Sequence, residues 1–190
     1  YANGGGNNFN QISDNRITDG ANGIYFTSST VRDMNNEIAG NILINQSASA
    51  IYALFGENLK IQRNQLSTNS TAFYSIMYIE DCDLTTVISE NKITNSTSSG
   101  TAIYVSGCDG TSTTPILIAN NFVQFGATGQ AFGISPFSCT YINFYHNSVN
   151  TTTTDAANGR CFATGGTTSN LNVKNNIFQN SGGGYAAVVS

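Results

Sequence analysis

The feature that most constrains this chain is an asparagine that returns at regular intervals between apolar residues. The pattern apolar-x-x-Asn-x-apolar occurs seven times, in steps of 26, 23, 27, 30, 26 and 29 residues. A period in this range predicts a solenoid, in which one supersecondary unit stacks on its copies because it cannot bury its apolar face alone. The repeated residues are Asn15, Asn41, Asn64, Asn91, Asn121, Asn147 and Asn176.

A second apolar segment in each repeat indicates β-strands. Residues 24–26, 51–53, 77–79 and 103–105 alternate with a period of two, which is the period of a strand with one buried face. Later repeats fill the same position less regularly, and their segments are 132–134, 161–163 and 185–189. Helical spacing is not sustained in any segment, so we expect an all-β chain.

We assign the repeated asparagine to a sharp bend between two strands. Asparagine tolerates the left-handed backbone region better than other non-glycine residues, and its amide can bond to backbone groups that the bend exposes. Coils stack about 4.8 Å apart, so the amides would also bond to one another. We therefore predict that the seven asparagines form a structural ladder and do not contact a ligand.

These residues resemble a known family. The asparagine-centred bend, followed by strands such as Ile103-Tyr104-Val105, is similar to the right-handed parallel β-helix of the pectate-lyase-like superfamily. The resemblance covers nearly the whole chain and implies one domain, residues 1–190, with about seven to eight coils of roughly 27 residues. The right-handed sense also follows from the general rule for parallel crossover connections. The superfamily includes both enzymes and non-catalytic surface proteins, so the fold alone does not choose an activity.

Composition excludes several classes of function. Only 9% of the residues are charged, yet Leu, Ile, Val and Phe make up 44 of 190 residues, so the chain is not disordered. Seven Lys and Arg residues without a basic run argue against nucleic acid as a partner. No apolar run is long enough to span a bilayer. Scarce Lys and abundant Ser, Thr and Asn predict a secreted or cell-surface protein.

A column of tyrosines is the first candidate binding site. If the preceding Ile or Met points inward, a tyrosine points outward on each of four consecutive coils, and active members of the superfamily generally use the outer face of this sheet. Exposed aromatic faces can stack on sugar rings, so we consider a carbohydrate-binding surface. Stacked aromatic rings can equally stabilise the sheet, by roughly 0.2–1 kcal/mol per pair. The residues are Tyr25, Tyr52, Tyr78 and Tyr104.

An acidic column lies five residues after those tyrosines. It consists of Glu57, Asp83 and Asp109, and Thr30 occupies the same position in the coil before. Carboxylates held one coil apart repel each other unless a cation, a proton or solvent intervenes, and Ca²⁺ takes oxygen ligands of this kind. The column is therefore a candidate calcium site, with a solvated acidic turn as the alternative. We expect no other cofactor.

Three of the four cysteines follow a similar spacing. Cys82 and Cys108 directly precede the two aspartates, and Cys139 lies in the corresponding turn of the next coil. Adjacent coils would bring their α-carbons within the roughly 4.4–6.8 Å that a disulfide needs. A Cys82–Cys108 disulfide and free thiols that act as small apolar residues are both open. We expect Cys161 to be buried within a strand.

The remaining polar candidates read as surface features. His146 precedes a repeat asparagine at a position that is polar in most coils, so we expect it to face solvent. Four N-x-Ser/Thr sequons follow repeat asparagines, and their position predicts one line of exposed turns that is compatible with glycosylation. The sequon residues are Asn45, Asn69, Asn95 and Asn150.

Motifs of the catalytic relatives are missing from the chain. Polygalacturonases resemble one another in Asn-Thr-Asp, Asp-Asp and Arg-x-Lys motifs, and epimerases in an Asp-Pro-His cluster; none occurs here. Lyases need a Lys or Arg base beside acidic ligands, but Lys60 and Arg63 lie on the second strand, around the corner from the acidic column. We leave open whether the chain is an enzyme, and we favour a non-catalytic one.

We therefore expect an exported β-helix that acts as a rigid stalk, adhesin or carbohydrate-binding segment of a surface protein. A polysaccharide or cell-surface glycan would be its partner. One alternative is a polysaccharide lyase or glycoside hydrolase without recognisable motifs, and another is a self-assembling structural or filament protein. Residues 1–10 contain no segment able to cover the first coil, and residues 185–189 form an apolar strand. We expect a segment of a longer protein, whose ends pack on adjoining domains or on end-to-end copies of itself.

Overall fold

The computed structural model describes residues 2–3, 6–28, 31–69, 72–95 and 99–190, and all regular secondary structure in these ranges is β-strand. In the same ranges, no helix is long and apolar enough to cross a membrane. The strands are β1 (Ala2–Asn3), β2 (Gln11–Ser13), β3 (Arg16–Thr18), β4 (Ile24–Thr27), β5 (Asp33–Met34), β6 (Glu37–Ala39), β7 (Ile42–Gln46), β8 (Ile51–Leu54), β9 (Gly56–Glu57), β10 (Lys60–Gln62), β11 (Gln65–Thr68), β12 (Tyr74–Glu80), β13 (Val87–Ser89), β14 (Lys92–Asn95), β15 (Gly100–Ser106), β16 (Ile116–Ala119), β17 (Phe122–Phe125), β18 (Ala131–Phe137), β19 (Thr140–Tyr145), β20 (Ser148–Thr151), β21 (Gly159–Ala163), β22 (Ser169–Lys174), β23 (Ile177–Asn180) and β24 (Tyr185–Val188).

The strands form three long parallel sheets that run along the solenoid. The first sheet has the order β1-β4-β8-β12-β15-β18-β21-β24, the second β2-β6-β10-β13-β16-β19-β22, and the third β23-β20-β17-β14-β11-β7-β3. A small additional sheet pairs β5 with β9. Each strand of a long sheet pairs with its counterparts one coil before and after it, so the predicted all-β parallel solenoid is confirmed.

Three rows of apolar side chains fill the interior, one row from each long sheet. The strand register places the same position of each coil directly over the last, and alternate residues point inward. Burying a side chain such as Ile contributes about 1.5–3 kcal/mol. The rows are Ile24, Ile51, Met77, Ile103, Ile134 and Phe162 in the first sheet, Ile38, Ile61, Ile88, Ile118 and Phe144 in the second, and Leu43, Leu66, Ile93, Val123 and Val149 in the third.

The repeat asparagines lie at the bend between the second and third sheets and form a hydrogen-bonded ladder. The backbone nitrogen and the Nδ2 atom of Asn91 both donate to Oδ1 of Asn121, at 3.1 and 3.0 Å. The same Nδ2 atom donates to the backbone oxygen of Ile61 in the preceding coil, at 2.9 Å. Because the amide satisfies backbone groups of two coils, the bend is buried without an unpaired polar group. The buried members of the ladder are Asn41, Asn64, Asn91, Asn121 and Asn147.

The left-handed residue of this bend is not the asparagine, and our prediction was wrong on this point. The residue before each asparagine has a positive φ, between 55 and 68°. The asparagine itself must point inward for its amide to reach the ladder, so the turn is made by its neighbour. His146 occupies one of these positions and is exposed, as expected. The left-handed residues are Asp14, Gly40, Arg63, Glu90, Asn120, His146 and Asn175.

Three cysteines form a second ladder, at the bend between the first and second sheets. The backbone nitrogen of Cys82 donates to Sγ of Cys108 at 3.1 Å, which is the bond that an asparagine Oδ1 accepts at the other bend. The thiols of Cys82 and Cys108 donate to the backbone oxygens of Glu80 and Ser106, both at 3.3 Å. All four cysteines, Cys139 included, are free and buried. The Cys82–Cys108 disulfide is therefore not formed, because both sulfur atoms are engaged with the backbone of the bend.

Candidate functional site

The tyrosine column lies on the outer face of the first sheet. The register pairs Tyr25 with Tyr52, Tyr52 with Tyr78, and Tyr78 with Tyr104. Successive ring centroids are 4.8, 4.7 and 5.3 Å apart, with interplanar angles of 13, 2 and 35°. The rings therefore repeat at the spacing of the coils, and the first three are stacked face to face.

This stacking determines what the column presents to a ligand. Tyr52 and Tyr78 each have a tyrosine on both sides, so their ring faces are covered and their edges and hydroxyl groups point outward. A sugar ring cannot stack on a face that is already covered. For these inner rings the geometry favours the structural ladder over the sugar-stacking surface that we considered from the sequence.

The hydroxyl groups along the column remain protonated at neutral pH. Burial and the hydrogen bond that Tyr78 donates to Oε2 of Glu80, at 2.8 Å, raise the pKa of Tyr78 well above its usual value. Burial, together with the neighbouring Tyr25, raises the pKa of Tyr52. The column thus offers neutral hydroxyl groups, which can donate and accept hydrogen bonds.

The column ends at Tyr104. Its register partner in the next coil is Ser135, and Ile103 pairs with Ile134. Ile134 in turn pairs with Phe162, so Ala163 lies next in the same row. The segments 132–134 and 161–163 that we aligned with the tyrosine strands are therefore out of register, and the positions belong to 134–136 and 162–164.

A second row on the same face changes from small to large residues along the solenoid. Ser75 pairs with Thr101, Thr101 with Phe132, and Phe132 with Arg160. The ring of Phe73, from the segment before β12, lies edge-on against the ring of Phe132, with centroids 6.4 Å apart. Two walls therefore face each other across the sheet, one of tyrosines and one built around Phe132.

The space between these walls is a groove of about 710 Å³. Three exposed aromatic side chains line it, Phe73 at 51%, Tyr74 at 48% and Phe137 at 43% exposure. Ser49 and Thr101 contribute small hydroxyl-bearing side chains to the lining. A concave surface that combines apolar area with a few polar groups is typical of ligand-binding sites.

Arg160 is the charged residue among the described residues that line the groove. Its guanidinium carbon lies 5.4 Å from the ring centroid of Phe132, which is a cation–π contact. Its Nε atom is buried and has no hydrogen-bond partner within the described part of the chain. An unsatisfied buried donor costs about 1–3 kcal/mol. Neither Arg160 nor the aromatic wall was among the residues that we singled out from the sequence.

The acidic column has a different arrangement from the expected calcium site. Arg32 lies between its carboxylates, with Nη2 at 2.8 Å from Oδ2 of Asp83 and Nε at 3.5 Å from Oε1 of Glu57. Asp109 is set apart from this pair, since its Oδ1 atom accepts a hydrogen bond from Oγ1 of Thr140 at 2.8 Å. A guanidinium group therefore supplies the positive charge that we had expected from an ion.

Metal-ligand clusters were also sought elsewhere. Across the ranges given above, no three His, Cys, Asp or Glu side chains are arranged to hold a metal ion. The register partner of Glu57 in the preceding coil is Met34, whereas Thr30, which we had placed there, lies outside the described residues.

The sequons do not form one line of exposed turns. Asn45 lies in β7, Asn95 in β14 and Asn150 in β20, while Asn69 follows β11. The Nδ2 atom of Asn150 donates to Oε1 of Gln124 at 3.0 Å, so this amide already has a partner. The prediction was wrong because the third strand extends past the sequon positions. The acceptor residues of the Asn69 and Asn95 sequons, 71 and 97, lie outside the described residues.

Comparison with known proteins agrees with the fold. The family model described as "Right handed beta helix region" matches residues 1–132, which is about two thirds of the chain. The predicted parallel β-helix is thereby confirmed, and the resemblance to the pectate-lyase-like superfamily is consistent with it. Searches of curated proteins and of solved structures returned no significant match.

Proposed function

This chain belongs to the right-handed β-helix family, and on that premise we propose that it is a non-catalytic segment that binds a glycan in the groove beside the tyrosine column. The segment acts as a rigid stalk or adhesin of a secreted or cell-surface protein. The observation that carries the proposal is the groove of about 710 Å³, with its exposed aromatic rings and hydroxyl-bearing residues.

The chemistry of the lining matches that of a sugar chain. Sugar rings present apolar patches of ring carbons, which suit the exposed rings of Phe73 and Phe137. They also present hydroxyl groups, which suit Thr101, the tyrosine hydroxyls and the unpaired Nε atom of Arg160. Tyrosine at a binding surface supplies both kinds of contact at low entropic cost.

The groove rests on a sheet, which favours binding. Hydrogen-bonded strands hold Tyr78, Thr101 and Phe132 before any ligand arrives. A preformed site loses less conformational entropy on binding than a mobile one. The scarcity of Lys and the abundance of Ser, Thr and Asn support export of the chain.

The lining also supports binding over hydrolysis. Glycoside hydrolysis generally uses a pair of Asp or Glu side chains that flank the scissile bond. In the described ranges, the groove is lined by Arg160 but by no Asp, Glu or His. Glu80, the nearest candidate in sequence to the column, is held by the hydroxyl of Tyr78.

Affinity electrophoresis in gels that contain soluble polysaccharides tests the proposal. The panel includes neutral glucans and mannans and acidic uronate and sulfated polymers. We expect at least one of them to retard the wild-type chain and not the double variant Phe73→Ala/Phe132→Ala. Phe122→Ala is the matched control, because Phe122 is 48% exposed but lies on the third sheet.

Each result of this experiment has a defined meaning. Failure of every polysaccharide to retard the wild-type chain would overturn the proposal. Equal retardation of the wild type and the double variant would place binding outside the groove. Release of reducing ends or of unsaturated products from the same polymers would support the enzymatic alternative instead.

A further inference from the structure

We infer that the slot beyond Tyr104 is a separate subsite for one pyranose ring, which stacks on Tyr104 and accepts a hydrogen bond from Arg160. This inference rests on the proposed glycan-binding function and names the position within the groove where recognition is most specific. It follows from four features of the lining, taken in turn.

The first feature is the free face of Tyr104. One side of its ring meets Tyr78, at a centroid distance of 5.3 Å. On the other side the row continues with Ser135 and then Ala163, which have no ring to cover it. Tyr104 thus differs from Tyr52 and Tyr78, because it alone in this part of the column offers an aromatic face toward the next coil.

The second feature is the size of the space over Ser135. Ring centroids within the column lie 4.7 to 5.3 Å apart. A six-membered ring placed over Ser135 would continue the column at that spacing, where the sequence supplies a small side chain instead of a fifth tyrosine. The slot therefore matches the width of one ring in contact with Tyr104.

The third feature is that the slot has two side walls. Phe132 and Arg160 form one, joined by their cation–π contact. Phe137 forms the other, and its ring lies over Gly165 so closely that a Cβ atom there would be 2.7 Å from Cδ2 of Phe137. Gly165 therefore lets the Phe137 ring lie flat at the edge of the slot. Both walls line the same groove as Tyr104.

The fourth feature points to the chemistry of the ring. The Nε atom of Arg160 is buried and has no partner within the described residues, and Arg160 forms no ion pair there. A buried donor of this kind is satisfied by an oxygen acceptor. A pyranose ring combines a face of ring carbons for Tyr104 with oxygen substituents at its edge for Arg160. The acceptor is either a neutral hydroxyl or a carboxylate.

Saturation-transfer NMR with two small probes tests the subsite directly. The probes are methyl β-glucopyranoside, which is neutral, and methyl β-glucuronopyranoside, which carries a carboxylate. The main variant is Ser135→Tyr, which fills the slot with a fifth ring and continues the column. The matched control is Ser169→Tyr, because Ser169 is exposed on the second sheet. A thermal melt of each variant establishes that it is folded.

We expect the wild type and Ser169→Tyr to bind at least one probe, and Ser135→Tyr to bind it about tenfold more weakly, as loss of one aromatic contact predicts. Unchanged binding by folded Ser135→Tyr overturns the subsite. If Ser135→Tyr does not fold, Tyr104→Leu takes its place, since it removes the ring face without filling the slot. Unchanged binding by Tyr104→Leu then overturns the subsite.

Arg160→Met identifies the acceptor, because Met retains an apolar stem but lacks Nε. Loss of binding for both probes indicates a hydroxyl acceptor, and loss for the glucuronoside alone indicates a carboxylate. Binding of both probes at the wild-type level removes Arg160 from the subsite and overturns that part of the inference.

The polysaccharide gels separate this inference from the proposed function. A chain that is retarded in the gels, but whose probe binding survives Ser135→Tyr, keeps the function and loses the subsite. A chain that binds a probe in a Ser135→Tyr-sensitive manner, but is not retarded, keeps the subsite and loses the polysaccharide function. A chain that shows neither behaviour loses both.

Discussion

The guanidinium group of Arg32 lies 2.8 Å from the carboxylate of Asp83, although the two residues are two coils apart. Arg32 also donates through Nη1 to the backbone oxygen of Asp81 and, at 3.4 Å, to that of Gly56. With the ion pair to Glu57 at 3.5 Å, a single side chain therefore ties together three consecutive coils.

Replacing Arg32 with Met should lower the free energy of unfolding by about 1 kcal/mol at neutral pH, since the ion pairs are only partly shielded from solvent. Chemical denaturation measures this change. Lys60→Met is the control, because Lys60 is exposed and forms no ion pair within the described residues. Equal stability of Arg32→Met and the wild type would show that the contacts contribute nothing.

The loss caused by Arg32→Met should shrink as the pH falls. Burial raises the pKa of Asp83, while the backbone N–H of Asp109 and the charge of Arg32 oppose that rise. An acid whose pKa is raised in the folded chain takes up its proton before the unfolded chain does, so its contribution to stability increases as the pH falls toward about 4. Without Arg32 this pKa rises further. A loss that stays constant from pH 7 to pH 4, or that persists unchanged in Asp83→Asn, would contradict this account.

Calcium should have little effect on the wild-type chain. Arg32 already neutralises Glu57 and Asp83, so a cation would have to displace a bound guanidinium group. A ligand that binds only the native state raises its stability by mass action, and melting curves in Ca²⁺ and in chelator measure this directly. A clear rise in melting temperature with Ca²⁺, abolished by Asp83→Asn, would restore the calcium site.

Replacing Asn91 with Leu should cost about 1–3 kcal/mol of stability, because the backbone oxygen of Ile61 loses a buried donor and Oδ1 of Asn121 loses both of its donors. Asn15→Leu is the matched control, since Asn15 is exposed at the first step of the ladder. Denaturant midpoints compare the two variants. Equal losses would indicate that burial of the ladder does not matter.

Tyr52→Leu distinguishes the two interpretations of the tyrosine column. Tyr52 stacks on Tyr25 and Tyr78, so its removal should destabilise the chain by roughly 0.4–2 kcal/mol through two lost pairs. Because both of its faces are covered, polysaccharide retardation should remain near the wild-type value. If retardation disappears while stability is unchanged, the inner rings contact the ligand after all.

The four cysteines should react as free, protected thiols. Burial raises the pKa of Cys139 to about 11 and also raises the pKa of Cys108, so few thiolates form near neutral pH. An alkylating reagent should modify none of them in the native chain and all four in denaturant without reductant. Modification of only two thiols in denaturant would reveal a disulfide.

The fold could be predicted from the sequence because its periodic residues each have a local physical role. An asparagine amide can satisfy the backbone of a bend, and the stacked apolar residues specify the three inner rows. The left-handed position could not be assigned in the same way, since residues as different as Gly40, Arg63 and His146 adopt it. Selection there acts on the backbone more than on the side chain.

The groove was harder to predict than the fold. Its walls depend on the register of the first sheet, and the loops between sheets vary in length. One signal was present in the sequence, since Tyr52 and Tyr78 lie 12 and 13 residues before the next repeat asparagine. Counting back equally from Asn147 and Asn176 gives Ser135 and Ala163. The contact between Phe73 and Phe132, which links distant coils, has no such signal.

The constant register of the coils separates the length of the chain from the shape of the molecule. Steps between ladder asparagines range from 23 to 30 residues, yet each step advances the solenoid by one strand spacing, about 4.8 Å. Extra residues leave the axis as side loops and add no height. A protein built in this way changes its reach by gaining or losing whole coils, while its girth stays the same. It can also acquire new surface loops without disturbing the interior.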